Sequence, residues 1–191
     1  MASGKSTVAR RFEAKGATRV DGDALGWKTL RDPEVKSAIA SAFGAEVMDG
    51  AGEVDRGRLG AIVFRDHAAM SRLNAIVQPR LLARVRASLD AATGSGVFVL
   101  DAALISTWGL ESELDGVVEV VAPPDVRIRR LRDARGGSEA VARERIEGQN
   151  LPPLGPTHAY WRIENDGDPA ELERRSDLVW EEIMKSKSKS P

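Results

Sequence analysis

The chain has 191 residues, 42% of them apolar, enough to bury the core of one ordinary domain. Its charges cancel to a net of -1, which removes any charge argument for nucleic acid or an anionic membrane as partner, while leaving room for local basic clusters that bind a small anion. Cysteine is absent, so disulfides and thiolate metal sites are excluded, and with histidine limited to His67 and His158 a His-rich metal site is not expected. No apolar run reaches the length of a membrane span and the start has no apolar signal region, so a cytoplasmic protein is expected.

The chain opens on Met1-Ala2-Ser3-Gly4-Lys5-Ser6-Thr7. Gly4 to Thr7 match the second half of the phosphate-binding pattern G-x-x-x-x-G-K-[ST]. Val8 to about Lys15 follows as a helix, ended by Gly16. At a helix start, backbone N–H groups and the helix dipole favour anions. In such a loop Lys5 reaches the outer phosphates and Ser6 ligates Mg²⁺. The competing reading of Ser3 to Thr7 is an ordinary Ser/Gly helix cap.

Thr18–Val20 reads as a short strand, with Asp21 and Asp23 at its C-terminal end. Ligands bind at that edge in open parallel sheets. One carboxylate suits a proton acceptor for an attacking hydroxyl, the other a holder of metal-bound water; an Asp-Gly turn is the bland alternative. From Asp32 to about Thr93 the apolar spacing is helical, with Pro79 interrupting it. A helical stretch of that length between strands reads as an inserted lobe. On one of its helices Asp55 and Arg56 precede the face made by Leu59, Ile62 and Val63, which composition alone assigns to packing.

Two continuous apolar runs, Val97–Leu104 and Gly116–Pro124, are of the buried parallel-strand kind. Asp101 stands out inside the first. Asp125 is expected to cap the next helix, which carries five arginines up to Arg135. Gly136-Gly137 breaks that helix, and Ser138 can cap a second one running to about Gln149. Arginines on both sides of a glycine hinge suit a closing lid that clamps phosphates, with Arg132 and Arg135 nearest the hinge. The alternative is a solvated helix face. "WRIEND" is the last strand. Asp168, Pro169 and Glu171 then mark the start of a final helix, and residues 185–191 are expected to be a solvated, disordered tail. Strands alternating with helices give an α/β class with a parallel sheet.

Taken together, the segments resemble the dephospho-CoA kinase family. "GKSTVARRF" is similar to its phosphate loop and first helix, and "VDGDALG" to its Asp-Ala-Asp segment. "DRGRLGAIVFRD" is similar to its Asp-Arg-x-x-Leu-Gly motif, "LNAIVQP" to the helix after it, and "VFVLDAAL" to its third strand. "RLRDARGGSEAVARERIEGQ" resembles its lid and "RIENDGDPAEL" its closing segment. The phosphate loop is widespread; the Asp-Arg-x-x-Leu-Gly helix and the order of the set are far more specific.

The resemblance implies a single P-loop kinase domain over residues 1–191, a three-layer α/β fold with a parallel sheet. Within it, residues of about 30–93 are the helical CoA lobe and residues of about 125–150 the lid. It implies ATP-dependent phosphorylation of the 3′-hydroxyl of dephospho-CoA, with ATP and Mg²⁺ as cofactors and no nucleic-acid or membrane partner. Residues Ala2 to Thr7, Arg132 and Asn165 are implied to hold ATP, with Asn165 framing the adenine. Ser6 and Asp21 are implied at the metal, and Lys5, Asp23 and Arg135 in catalysis, with Asp23 as base. Asp23, Asp55, Arg56 and Gln78 are implied to contact the acceptor. A different small-molecule P-loop kinase and a non-catalytic nucleotide- or CoA-binding protein are the rival readings. Three departures bear on them. Gln78-Pro79 replaces the family's usual His-Pro, and Ala102 to Ser106 replaces Pro-Leu-Leu-Phe-Glu. The loop's first glycines and the strand before them are missing, so the natural chain is expected to start roughly ten residues upstream.

Overall fold

The computed structural model describes residues 1–91, 96–148 and 151–188. In chain order its elements begin with α1 (Lys5–Ala14), β1 (Thr18–Asp21), α2 (Gly22–Thr29), α3 (Pro33–Phe43), α4 (Arg56–Val63) and α5 (His67–Ala91). They continue with β2 (Phe98–Asp101), a single-turn α6 (Ile105–Trp108), β3 (Val117–Val121), α7 (Pro124–Arg135), α8 (Glu139–Glu147), β4 (Tyr160–Glu164) and α9 (Pro169–Lys187). The chain divides into two compact units, Met1–Val20 with Gly96–Pro191, and Asp21–Ser95. No helix among the described residues is long and apolar enough to cross a membrane.

The first unit carries the strands. β3 and β4 pair in parallel, in a register that sets Val117 opposite Tyr160 and Val121 opposite Glu164. β1 pairs with β2, so among the described residues the strands form two two-stranded sheets rather than one ladder. A shared apolar layer takes the place of a shared ladder. Val8 and Phe12 of α1 and Leu172 of α9 pack with Ala17 and Ile163, against Val99 of β2 and Val118 and Val120 of β3. The spacing of Val8 and Phe12 by one helical turn turns both inward, and Trp180 of α9 meets the Phe12 ring at 5.4 Å between centroids. α7 and α8 form a hairpin closed by Ile128, Leu131, Ala142 and Ile146. The described residues of the second unit are mainly helical, with a core of Val35, Ile39, Phe43, Leu59 and Val63 backed by Leu73 and Ile76 of α5.

Several element ends differ from the sequence expectation, each for a local reason. The apolar run Val97–Leu104 yields only the four residues of β2, because Ala102-Ala103 lacks the β-branched side chains that favour extended backbone. Asp125 does not cap α7: Pro123 is the N-cap and Pro124 takes the first helical position, which puts the Asp125 charge in the first turn, where the helix dipole favours it. α5 runs unbroken through Pro79. The missing proline N–H removes one backbone bond, and burial of Leu81 and Val85 beyond it holds the helix together. Helix also begins earlier than expected, at Gly22, with Asp21 as the N-cap of α2. Residues 185–187, expected in the tail, form the last turn of α9; residues 189–191, and the expected end of the lid helix at Gln149, lie outside the described residues.

Candidate active site

Everything at the head of α1 follows from Gly4. Its φ of 100° is a left-handed value, and Gly4 is the N-cap residue. A Cβ there would fall 2.3 Å from Asn165 Nδ2, so only glycine fits both the turn and the contact. The Gly4 carbonyl accepts from Thr7 N at 2.9 Å and Val8 N at 3.1 Å, the first bonds of the helix. The N–H groups of Lys5 and Ser6 precede those bonds, at the positive end of the helix dipole. Ala2, with φ 57°, packs against the core of the α7–α8 hairpin.

Behind this turn sits Asp101, the last residue of β2 and only 3% exposed. Its Oδ1 accepts from Lys5 Nζ and, at 3.3 Å, from Ser6 Oγ. Its Oδ2 accepts from Arg19 on β1, through Nε at 3.2 Å and Nη2 at 2.8 Å. Burial pushes the Asp101 carboxyl up, but the bonds from Lys5, Arg19 and Ser6 outweigh it and hold it below the ordinary carboxylate value. Two cations around one buried carboxylate leave the cluster with a single positive charge beside a helix start, a setting that attracts a phosphate. Ser6 Oγ, beside this helix start, is a hard oxygen donor, the ligand type that Mg²⁺ takes together with phosphate oxygens.

Asn165 follows β4 and is buried. Its Nδ2 donates to Ser3 O at 2.7 Å, and its Oδ1 accepts from Arg130 Nη2 at 2.8 Å. Asn165 therefore ties the turn before α1 to α7. Arg130 Nη1 is buried without a hydrogen-bond partner among the described residues. Arg132 is spent on a neighbour: its Nε and Nη2 donate to Asp133 Oδ1 at 2.9 and 2.8 Å, in an exposed pair. Arg135 is the last residue of α7, before Gly136 and Gly137 with φ of 67° and 105°; its side chain lies outside the description.

The other candidate residues lie in the second unit. Asp21 accepts from Ala24 N at 3.0 Å as the cap of α2, and Asp23 is exposed in the first turn of the same helix. Asp55 caps α4, accepting from Gly57 N at 2.9 Å and Arg58 N at 3.1 Å. Arg56 lays its guanidinium over the Trp27 ring, 3.5 Å from the centroid, a cation–π contact. Gln78 is half-buried in α5, beside Pro79.

The structure thus brings Lys5, Ser6, the Ser3 carbonyl and Asn165 to one place, and shows Asp21 and Asp55 working as helix caps. Arg19 and Trp27 escaped the sequence reading, Arg130 entered it only as one of the five arginines of the lid helix, and Asp101 was singled out without a role. The one available signal was Asp101 itself, a carboxylate closing an apolar run, since a buried charge requires cationic partners.

The dephospho-CoA kinase family model matches residues 1–171. The chain belongs to the dephospho-CoA kinase family. A dephospho-CoA kinase of Thermobifida fusca is 36% identical over 96% of this chain and 92% of its own. One of Anaeromyxobacter dehalogenans is 41% identical over 94% of this chain and 86% of its own. Among solved structures, TT1252 from Thermus thermophilus superposes with a TM-score of 0.73 at 31% identity, covering 96% of this chain and 93% of that one. The family match spans the head of α1, the Asp101 cluster and Asn165 alike.

Proposed function

We propose that the chain transfers the γ-phosphoryl group of ATP to the 3′-hydroxyl of dephospho-CoA, in the cytoplasm. The observation that carries this reading is the convergence of Lys5 and Ser6, at a helix start, on the buried Asp101, within a chain of this family. The transfer forms a bond from the acceptor oxygen to the γ-phosphorus and breaks the bond to the β–γ bridging oxygen. Phosphoryl transfer asks for positioning and charge neutralisation more than for covalent help. Lys5 supplies a cation to the transferring phosphate, and the N–H groups at the head of α1 bind its neighbours. Asn165, fixed by Ser3 and Arg130, frames the adenine. Ser6 and Asp21 are the residues we assign to Mg²⁺, which supplies charge neutralisation on the phosphate oxygens. Asp23, exposed and uncommitted to any cap, takes the proton of the acceptor hydroxyl. Asp55, Arg56 and Gln78 orient the CoA moiety, and Arg132 and Arg135 belong to a lid over ATP.

The test follows ADP formation with dephospho-CoA and with other hydroxyl acceptors, and identifies the product by mass. ADP formation only with dephospho-CoA, yielding CoA, is the expected result. Turnover that is equal across acceptors, or ATP binding without turnover, rejects it. In the same assay Asp23→Asn should lower kcat by about 10²–10⁴ while preserving ATP affinity; an unchanged kcat removes Asp23 as base.

A further inference from the structure

Resting on the reading of Lys5 as the phosphate-binding cation, we infer that Arg19 is a positioning residue of this site: by holding one oxygen of Asp101, it frees the other to release Lys5 to an arriving phosphate. The carboxylate is divided between two clients. Oδ2 is taken by the Arg19 fork, and Oδ1 faces Lys5 and Ser6. Asp101 and Arg19 have side chains 2% and 16% exposed, so water compensates neither well. Remove Arg19, and a buried carboxylate is left, among the described residues, with Lys5 as its full counter-charge. The lysine is then locked into a neutral pair, and releasing it would strand the carboxylate without a cation, facing an anionic ligand. With Arg19 present the carboxylate stays compensated whichever way Lys5 points. A planar fork suits this task better than an ammonium, because it binds one carboxylate through two fixed N–H directions.

The competing account makes Arg19 a structural counter-ion that matters for folding alone. ATP affinity, read by calorimetry beside thermal melting, separates the two in the intact chain and in Lys5→Ala, Arg19→Met, Arg19→Lys, Asp101→Asn and the Arg19→Met/Asp101→Asn double variant. Arg19→Met is expected to weaken ATP binding by about 10–100-fold, the range of one hydrogen bond to a charged group. Arg19→Lys should fall between it and the unaltered chain. In the Asp101→Asn background the Arg19 substitution should no longer matter, since there is no carboxylate left to hold. Arg19→Met with lowered melting and unaltered ATP affinity overturns the inference and leaves the functional reading intact. An equal loss with and without Asp101 overturns it as well, because Arg19 then acts elsewhere. Should Arg19→Met fail to fold, Arg19→Lys decides alone: unchanged affinity overturns the inference. If Lys5→Ala leaves ATP affinity unchanged, the phosphate-loop reading falls, and this inference with it.

Discussion

Gly4 shows how much one missing Cβ can hold in place. Its left-handed φ turns the chain into α1, and the space where a Cβ would stand is filled by Asn165. Gly4→Ala should cost about 1–2 kcal/mol from backbone conformation alone, and should weaken ATP binding as Asn165 is pushed off Ser3. The double variant Gly4→Ala/Asn165→Ala relieves the contact but not the φ, so melting should recover only in part. Full recovery would mean that φ at Gly4 carries no strain. At this scale the sequence was legible where a residue type has one local job. The helix start after Gly4, and the cap Asp168 before Pro169, could be read from their neighbours alone. Asp101, Arg19 and Arg130 could not, because their meaning comes from partners far along the chain, as in the pairs of Asp101 with Lys5 and of Arg130 with Asn165.

Among elements, α1 and α9 are joined by charge as well as by the contact of Phe12 with Trp180. Asp177 of α9 accepts Arg11 Nε at 2.9 Å and Nη2 at 2.8 Å, and Lys15 Nζ lies 3.1 Å away. The bond from Arg11, against some desolvation and with help from Lys15, holds the Asp177 carboxyl at about 2, from an ordinary 3.8. The folded value is the lower one, so the ionised group favours the folded state. That contribution is complete above the ordinary value and is lost as pH falls through it toward about 2. Asp177→Asn should therefore lower Tm by a few degrees at most near neutral pH, the pair being partly exposed, and the gap to the unaltered chain should close in strong acid. A gap that stays constant with pH would show packing, not charge, at work. Helices with a clear cap and a clear apolar side were readable: α8 behind Ser138, α9 behind Asp168. Ends set by tertiary packing were not. α5 passes through Pro79 because burial on both sides of it outweighs one lost backbone bond.

For the molecule as a whole, each unit has its own core, and alternation of strand and helix gave the α/β class while leaving the pairing of strands unspecified. Ile39 is fully buried in the helical unit, and Ile163 is 1% exposed in the stranded one. Ile39→Ala should cost about 2–5 kcal/mol. Amide exchange should speed up in α3, α4 and α5 well before it does in β3 and β4. Equal acceleration throughout would mean that the chain opens as one cooperative body. The register that sets Val117 opposite Tyr160 has a consequence in time as well as in space. Parallel partners cannot meet through a tight turn, so the segment holding α7 and α8 must first be drawn into a closed loop, and its entropy is lost before the ladder returns any bond. The Ile128, Leu131, Ala142 and Ile146 contacts are local and can form ahead of that closure. Collapsing the intervening chain into a helical hairpin shortens the loop left to close, so the element read as a lid over ATP also sets the pace at which β4 finds β3.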